Sequence, residues 1–225
     1  MDRRLVVILV LLLVSGIVLS VAAYVFGVFP FDMRITLWLR GFDHPVFIAV
    51  MGAVSFFGNG IFPVLMVSVV AAFCAARKKW TEAVFVVATL SAFLLDGALK
   101  VLVGRPRPPQ AGMNLSGLFF PVNQYAYPSG HVLFYVVFFG FLAYLSWKHL
   151  AGRLRWISVS VCMVLIVLIG PSRVLLGQHW ASDVIGSYII GTFWLIILIL
   201  LYQLVLHRRS AGVGPDPLVP ISLSD

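Results

Sequence analysis

Residues 5 to 27 run for more than 20 positions without one charged side chain. A membrane-spanning helix needs about 20 apolar residues, so this segment is long enough to cross a bilayer. It follows Asp2-Arg3-Arg4, as the core of a signal peptide would. It is too long for one and lacks a small-x-small cleavage site, so it reads as a retained first span. Apolar runs at 60–76, 80–103, 131–147, 156–171 and 181–206 bring the expected spans to six. Only 11% of the chain is charged and 61% is hydrophobic, against roughly 25% charged in a soluble domain. The expected fold is therefore all-α: an integral membrane bundle of six transmembrane helices occupying residues 1–209. The polar, proline-containing tail from 210 to 225 is expected to be loose and cytoplasmic.

Two segments between the first spans do not fit a simple crossing. Residues 31–40 alternate polar and apolar side chains, which suits a short interfacial amphipathic helix. Residues 45–58 are apolar but too short to span. They are either re-entrant or the first half of a helix broken near Gly58-Asn59-Gly60.

Charge orients the bundle. The formal net charge of +8 would suggest nucleic acid in a soluble protein. Here ten of the sixteen Lys and Arg residues collect on one side of a six-span layout: Arg3, Arg4, Arg77, Lys78, Lys79, Lys148, Arg153, Arg155, Arg208 and Arg209. That side is cytoplasmic by the positive-inside bias, with both termini inside, and no nucleic-acid partner is implied. Cys74 and Cys162 lie in apolar runs and read as packing residues. No Cys/His spacing suggests a metal site.

The remaining cations stand outside, against that bias, and four of them sit in or beside a cluster of reactive residues. Lys100, Arg105 and Arg107 close the third span; Arg173 closes the fifth. Positive charge held there calls for a functional reason. Ser129-Gly130-His131 opens the fourth span, where unpaired backbone N–H groups favour an anion. His179 and Asp183 are four apart at the start of the sixth. On a helix they share a face, and Asp183 would accept a hydrogen bond from one ring nitrogen, fixing the tautomer. Arg173 offers a planar fork of donors suited to phosphate oxygens.

Each piece alone has an ordinary explanation. Asp96 precedes Lys100 by four residues, the favourable order for a helical ion pair. Arg105 reads as a surface charge. Ser129 reads as a helix cap, and His179 with Asp183 as a structural pair. Phe119, Phe120, Tyr125 and Tyr127 in the outer loop read as interface anchors. Taken together they supply cations, helix-start amides, one His with a carboxylate and one His without. Phosphoryl transfer needs such a set: neutralised equatorial oxygens, an in-line nucleophile and a proton for the leaving oxygen.

Three segments, KVLVGRPRP (Lys100 to Pro108), PSGH (Pro128 to His131) and SRVLLGQHWASD (Ser172 to Asp183), resemble the three signature motifs of the type-2 phosphatidic acid phosphatase superfamily. The likeness is specific over residues 96–190. It implies a metal-independent, cofactor-free lipid phosphatase working through a phosphohistidine. In that scheme His179 attacks phosphorus and Asp183 orients it. His131 protonates the leaving group and then activates water. Lys100, Arg107, Arg173, Ser129 and Gly130 hold the phosphoryl oxygens. The implied substrate is a lipid phosphate such as a polyprenyl diphosphate, phosphatidylglycerophosphate, phosphatidic acid or lipid A, met from the outer face of the cytoplasmic membrane. The motifs read the phosphoryl group and leave the tail and the oligomeric state open. A phosphotransferase using the same site and a non-catalytic phosphate-binding membrane protein or transporter are the alternatives.

Overall fold

A computed structural model describes residues 2–109 and 124–211. Among them the chain is all-helical, apart from one isolated bridge between Pro106 and Tyr125. The helices are α1 (Arg3–Phe26), α2 (Pro30–Arg40), α3 (Pro45–Phe56), α4 (Phe62–Ala76), α5 (Trp80–Ala88), α6 (Ser91–Val103), α7 (Gly130–His149), α8 (Gly152–Leu175) and α9 (Ala181–Ala211). Phe119, Phe120 and nearly all of the 210–225 tail fall outside the described residues.

Five segments are long and apolar enough to cross a membrane: α1, α5 with α6 as one unit (Trp80–Val103), α7, α8 and most of α9. The chain is thus a multi-pass membrane protein, but the expected second span, 60–76, is not among these five. α4 has 15 residues, about 22 Å at 1.5 Å per residue, short of a hydrocarbon core about 30 Å thick. Residues 45–58 do not extend it. α3 ends at Phe56, and the chain turns through Gly58, Asn59 and Gly60 before α4, with Gly60 at φ +52°.

The core gathers around α7, whose residues from Val132 to Phe138 are almost fully buried. α8 and α9 pack on it; α6 meets its N-terminal half through Phe93 and Phe134, and α5 its C-terminal half through Phe85 and Phe141. α1 leans on α9, and α3 leans on α8. Phe134 stacks on Phe138 and on Phe93 of α6. At one end of the bundle, Tyr202 of α9 donates to Glu82 of α5 at 3.0 Å and receives Lys148 of α7 at 3.1 Å. Every motif residue singled out in the sequence lies at the other end.

α2 departs from a simple interfacial helix. Trp38 and Leu37 are well exposed, but Asp32 is fully buried against α9. Its carboxylate accepts from the Phe29 N–H at 3.1 Å, the reach-back of a capping residue, and from the Ser182 N–H at 2.8 Å. The amphipathic pattern is present, but its acid faces the protein.

Candidate active site

Four stretches converge at this end. α6 closes at Gly104, whose left-handed φ of +59° lets its N–H bond the Lys100 carbonyl at 2.9 Å. Proline then bars further helix, and Arg105-Pro106-Arg107-Pro108 runs extended. It pairs with the incoming strand-like segment through Ala126 N–H to Arg105 O, 2.8 Å. α7 begins at Gly130. α8 carries Arg173 in its last turn and ends at Leu175, and a turn with Gly177 at φ +67° carries the chain to His179 and α9.

Arg105 is not a surface charge. It is 1% exposed, and all three guanidinium nitrogens are engaged. Nε donates to the Gly27 carbonyl, NH1 to Ser182 Oγ at 2.7 Å and to Asp183 Oδ1, and NH2 to Asp32 Oδ2 at 2.6 Å. One cation thereby ties the end of α1, the start of α2 and the start of α9 to the loop after α6. Burying it without these partners would cost several kcal/mol.

Arg107, two residues on, is treated differently. NH1 donates to the backbone and side-chain oxygens of Gln178, both at 3.2 Å, and Nε has no partner among the described residues. Burial pushes its guanidinium somewhat below its ordinary range, while Asp96 and Asp183 pull it back up. It remains a cation. Arg173 is 3% exposed, gives NH1 to Ser55 Oγ, and likewise leaves Nε unpartnered. Lys100 is held by Asp96 at 2.7 Å, so the helical ion pair does form, in a buried setting.

Ser129 does not cap α7 with its side chain. Its N–H goes to Ser187 Oγ at 2.7 Å, and its own hydroxyl is buried with no partner among the described residues. Gly130 must be glycine on steric grounds. A Cβ there would lie 2.7 Å from Asp96 Oδ2, whose companion Oδ1 has no hydrogen-bond partner among the described residues. Of the five buried polar side-chain atoms left unpartnered among the described residues, four belong to Asp96, Arg107, Ser129 and Arg173. Such atoms are costly and uncommon in folded proteins, so their convergence marks a place built for a polar occupant.

The histidines sit within this ring. Lys100, Arg107 and Arg173 are near enough to act electrostatically on both His131 and His179. His179 is 1% exposed. Burial first, then these three cations, hold its imidazolium well below the ordinary value of 6.5, so the ring is neutral at pH 7. Its Nδ1 lies 2.7 Å from the Ala126 carbonyl oxygen and 3.8 Å from Asp183 Oδ2. The expected hydrogen bond to Asp183 is therefore replaced by one to the backbone. A carbonyl only accepts, so Nδ1 carries the proton and Nε2 keeps its lone pair. The helix begins at Ala181, after His179, which is why the four-residue spacing did not stack the two side chains. Asp183 Oδ2 instead accepts from the Trp180 N–H at 2.8 Å, and Oδ1 from Arg105.

His131 is half-buried, and its Nε2 meets Asn59 Oδ1 at 2.8 Å. Tyr127 is fully buried, with its hydroxyl 3.1 Å from that of Ser20, so it is not an interface anchor. Burial raises its phenol above the usual value. Tyr125 is 37% exposed. Sequence reasoning missed Asp32, Ser182, Ser55 and Asn59. Only Asp32 left a signal, as an acid inside an otherwise apolar and basic amphipathic stretch.

A membrane bundle with a cationic, histidine-bearing pocket at one end defines the class, and the comparisons name it. The chain belongs to the PAP2 superfamily, whose family model matches residues 81–206. It is 29% identical over 117 residues to phosphatidylglycerophosphatase B of Bacillus subtilis, covering 51% of this chain and 55% of that protein. It is 36% identical over 83 residues to YbjG of Escherichia coli, a protein named as an undecaprenyl-diphosphatase, covering 37% and 38%. The match thus spans about half or less of these curated relatives. The fold is shared with the crystal structure of a transmembrane PAP2-type phosphatidylglycerolphosphate phosphatase from Bacillus subtilis, TM-score 0.72, 22% identity, over 92% of this chain and 98% of that one. It is shared more loosely with Aquifex aeolicus LpxE, TM-score 0.55, 20% identity, over 76% and 96%.

Proposed function

We propose that the protein is a membrane lipid phosphatase acting on a phosphomonoester or diphosphate through a phosphohistidine. One observation carries the proposal: the Nδ1–H of His179 is spent on Ala126, leaving the Nε2 lone pair among three cations, of which Arg107 and Arg173 each keep a donor without a partner among the described residues. In the first step Nε2 of His179 bonds to phosphorus and the bond to the leaving oxygen breaks. His131, as imidazolium, gives that oxygen its proton. In the second step water attacks phosphorus, the P–N bond breaks and the water proton returns to His131. Lys100, Arg107 and Arg173 neutralise the phosphoryl oxygens, helped by the Ser129 hydroxyl and the Gly130 amide. Asp183 acts on His179 as a nearby negative charge and by fixing the turn at Trp180.

Phosphoryl binding by three cations leaves no electrostatic need for a metal, so turnover should persist in EDTA. The names of the relatives and the depth of the site favour a lipid. An apolar cavity of about 250 Å³ between α1, α6 and α9 includes Leu95 and Leu99, neighbours of Asp96 and Lys100, and suits a hydrocarbon tail. The charge bias favours the extracytoplasmic side of the cytoplasmic membrane for the site. The test is phosphate release in detergent with EDTA from undecaprenyl diphosphate, phosphatidylglycerophosphate, phosphatidic acid and lipid A. His179→Ala should abolish release while the protein stays folded. Residual turnover near the wild-type rate would remove His179 as the nucleophile. Release of phosphate only when an alcohol acceptor is added would favour a phosphotransferase.

A further inference from the structure

The break at Gly58-Asn59-Gly60, which the proposed chemistry does not use, lies directly on the site. The stretch from Met51 to Asn59 reaches α7 and α8 at every turn. The Met51 carbonyl accepts from Ser172 Oγ at 2.7 Å, the Val54 carbonyl from Tyr135, and Ser55 Oγ from Arg173. Gly58 packs on the ring of His131 so closely that a Cβ would overlap it. Asn59 Oδ1 then meets Nε2 of His131 at 2.8 Å. A carboxamide oxygen only accepts, so this bond places a proton on Nε2. The charged groups facing His131 from the other elements are Lys100 of α6, Arg107 of the following loop and Arg173 of α8, and all are cations. None of them can accept that proton.

We propose that Asn59 is a positioning residue that keeps the proton of His131 on Nε2, and that the α3–α4 turn forms the leaving-group wall of the site. This rests on the assignment of His131 as the acid. In the resting protein Asn59 accepts the Nε2–H. When a phosphoester is bound, its negative charge offsets the three cations and the ring takes up a second proton on Nδ1; the Nε2–H of this imidazolium turns to the leaving oxygen and transfers its proton as the P–O bond breaks, leaving a neutral ring with its proton on Nδ1. Without an acceptor at position 59, the neutral ring is free to carry its proton on the other nitrogen, and the imidazolium, which loses the hydrogen bond that supports its Nε2–H, forms less often. Asn59 is also exposed at the mouth of the site, beside exposed Phe56 and Phe57. The first atoms of the leaving group therefore meet a carboxamide and aromatic rings.

The experiment compares wild type, Asn59→Leu, Asn59→Asp and His131→Gln on two substrates. One is a phosphatidic acid, whose alkoxide leaving group needs a proton; the other is 4-nitrophenyl phosphate, whose phenolate does not. General acid catalysis contributes about 10²–10⁴-fold. Asn59→Leu should lower kcat on the lipid by about 100-fold at that lower limit, with kcat on the aryl ester little changed. Asn59→Asp, which keeps the acceptor, should recover most of the lipid rate. An equal loss on both substrates, or none on either, would overturn the role of Asn59. A separate readout needs no turnover: histidine ¹⁵N spectra of the full-length protein, with the His131 signal assigned by its absence in His131→Gln. Wild type and Asn59→Asp should show the Nε2–H form, and Asn59→Leu a shift toward Nδ1–H. An unchanged signal in Asn59→Leu overturns the proposal. Equal loss in His131→Gln on both substrates, with the spectral shift present, would instead strike the assignment of His131 as the acid and leave Asn59 as its partner.

Discussion

Arg105 and Arg107 are two residues apart in one Arg-Pro-Arg-Pro run, and they face opposite fates. Arg105 has every nitrogen matched to a protein acceptor, two of them the carboxylates of Asp32 and Asp183. Arg107 has one glutamine and an unpartnered Nε, and stands in a field shared with Arg173 and Lys100. A buried cation that is fully matched holds segments together. A buried cation left short of acceptors, beside others of like charge, is a place for an anion. The same residue type thus serves as brace and as binding group according to how its donors are accounted for.

Removing the brace should have the largest effect. Arg105→Ala leaves Asp32 and Asp183 buried without their cation, and breaking such a pair costs about 3–5 kcal/mol. Thermal unfolding in detergent should show a large drop in Tm, and the variant should express poorly. If Tm held and only activity fell, Arg105 would belong with Arg107 as a substrate contact.

Removing the binding group should give the reverse pattern. Arg107→Gln should lower kcat/KM by roughly 10²–10³-fold, the usual cost of losing one donor to a transition-state oxyanion. Tm should hold or rise, because like charges around Arg173 and Lys100 are relieved. A marked fall in stability would erase the distinction between the two arginines.

The smallest expected effect sharpens the same contrast. Inorganic phosphate or vanadate should stabilise wild type by up to about 2.7 kcal/mol at 100 times its Kd, read as a rise in Tm. The rise should disappear in Arg107→Gln and persist in Asp2→Asn, a substitution at the far end of α1. A persistent rise in Arg107→Gln would move the anion away from Arg107.

Much of this was open to inspection in the linear chain. Five of the apolar runs correspond to helices long and apolar enough to cross a membrane, and the motif residues Lys100, Arg107, Ser129, Gly130, His131, Arg173, His179 and Asp183 gather at one end of the bundle. The second expected span has a counterpart in α4, which is apolar enough but, at 15 residues, shorter than the other five. Spacing also misled at His179. Four residues suggest one helical face, yet the helix starts two residues later, and Nδ1 finds Ala126, 53 positions away in the chain. Asp32 was legible as an oddity, but its partner Arg105 lies 73 residues on.

The sequence by itself determined which segments are long and apolar enough to cross a membrane and which chemical groups stand at the ends of those segments. Both follow from local properties, the length of an apolar run and the break imposed by proline or glycine. Only the tertiary structure decided which arginine is saturated, which nitrogen of His179 holds the proton, and that Asn59 touches His131. Each of these depends on how a buried polar group is matched to a partner from another part of the chain, and that matching is set by packing, not by spacing.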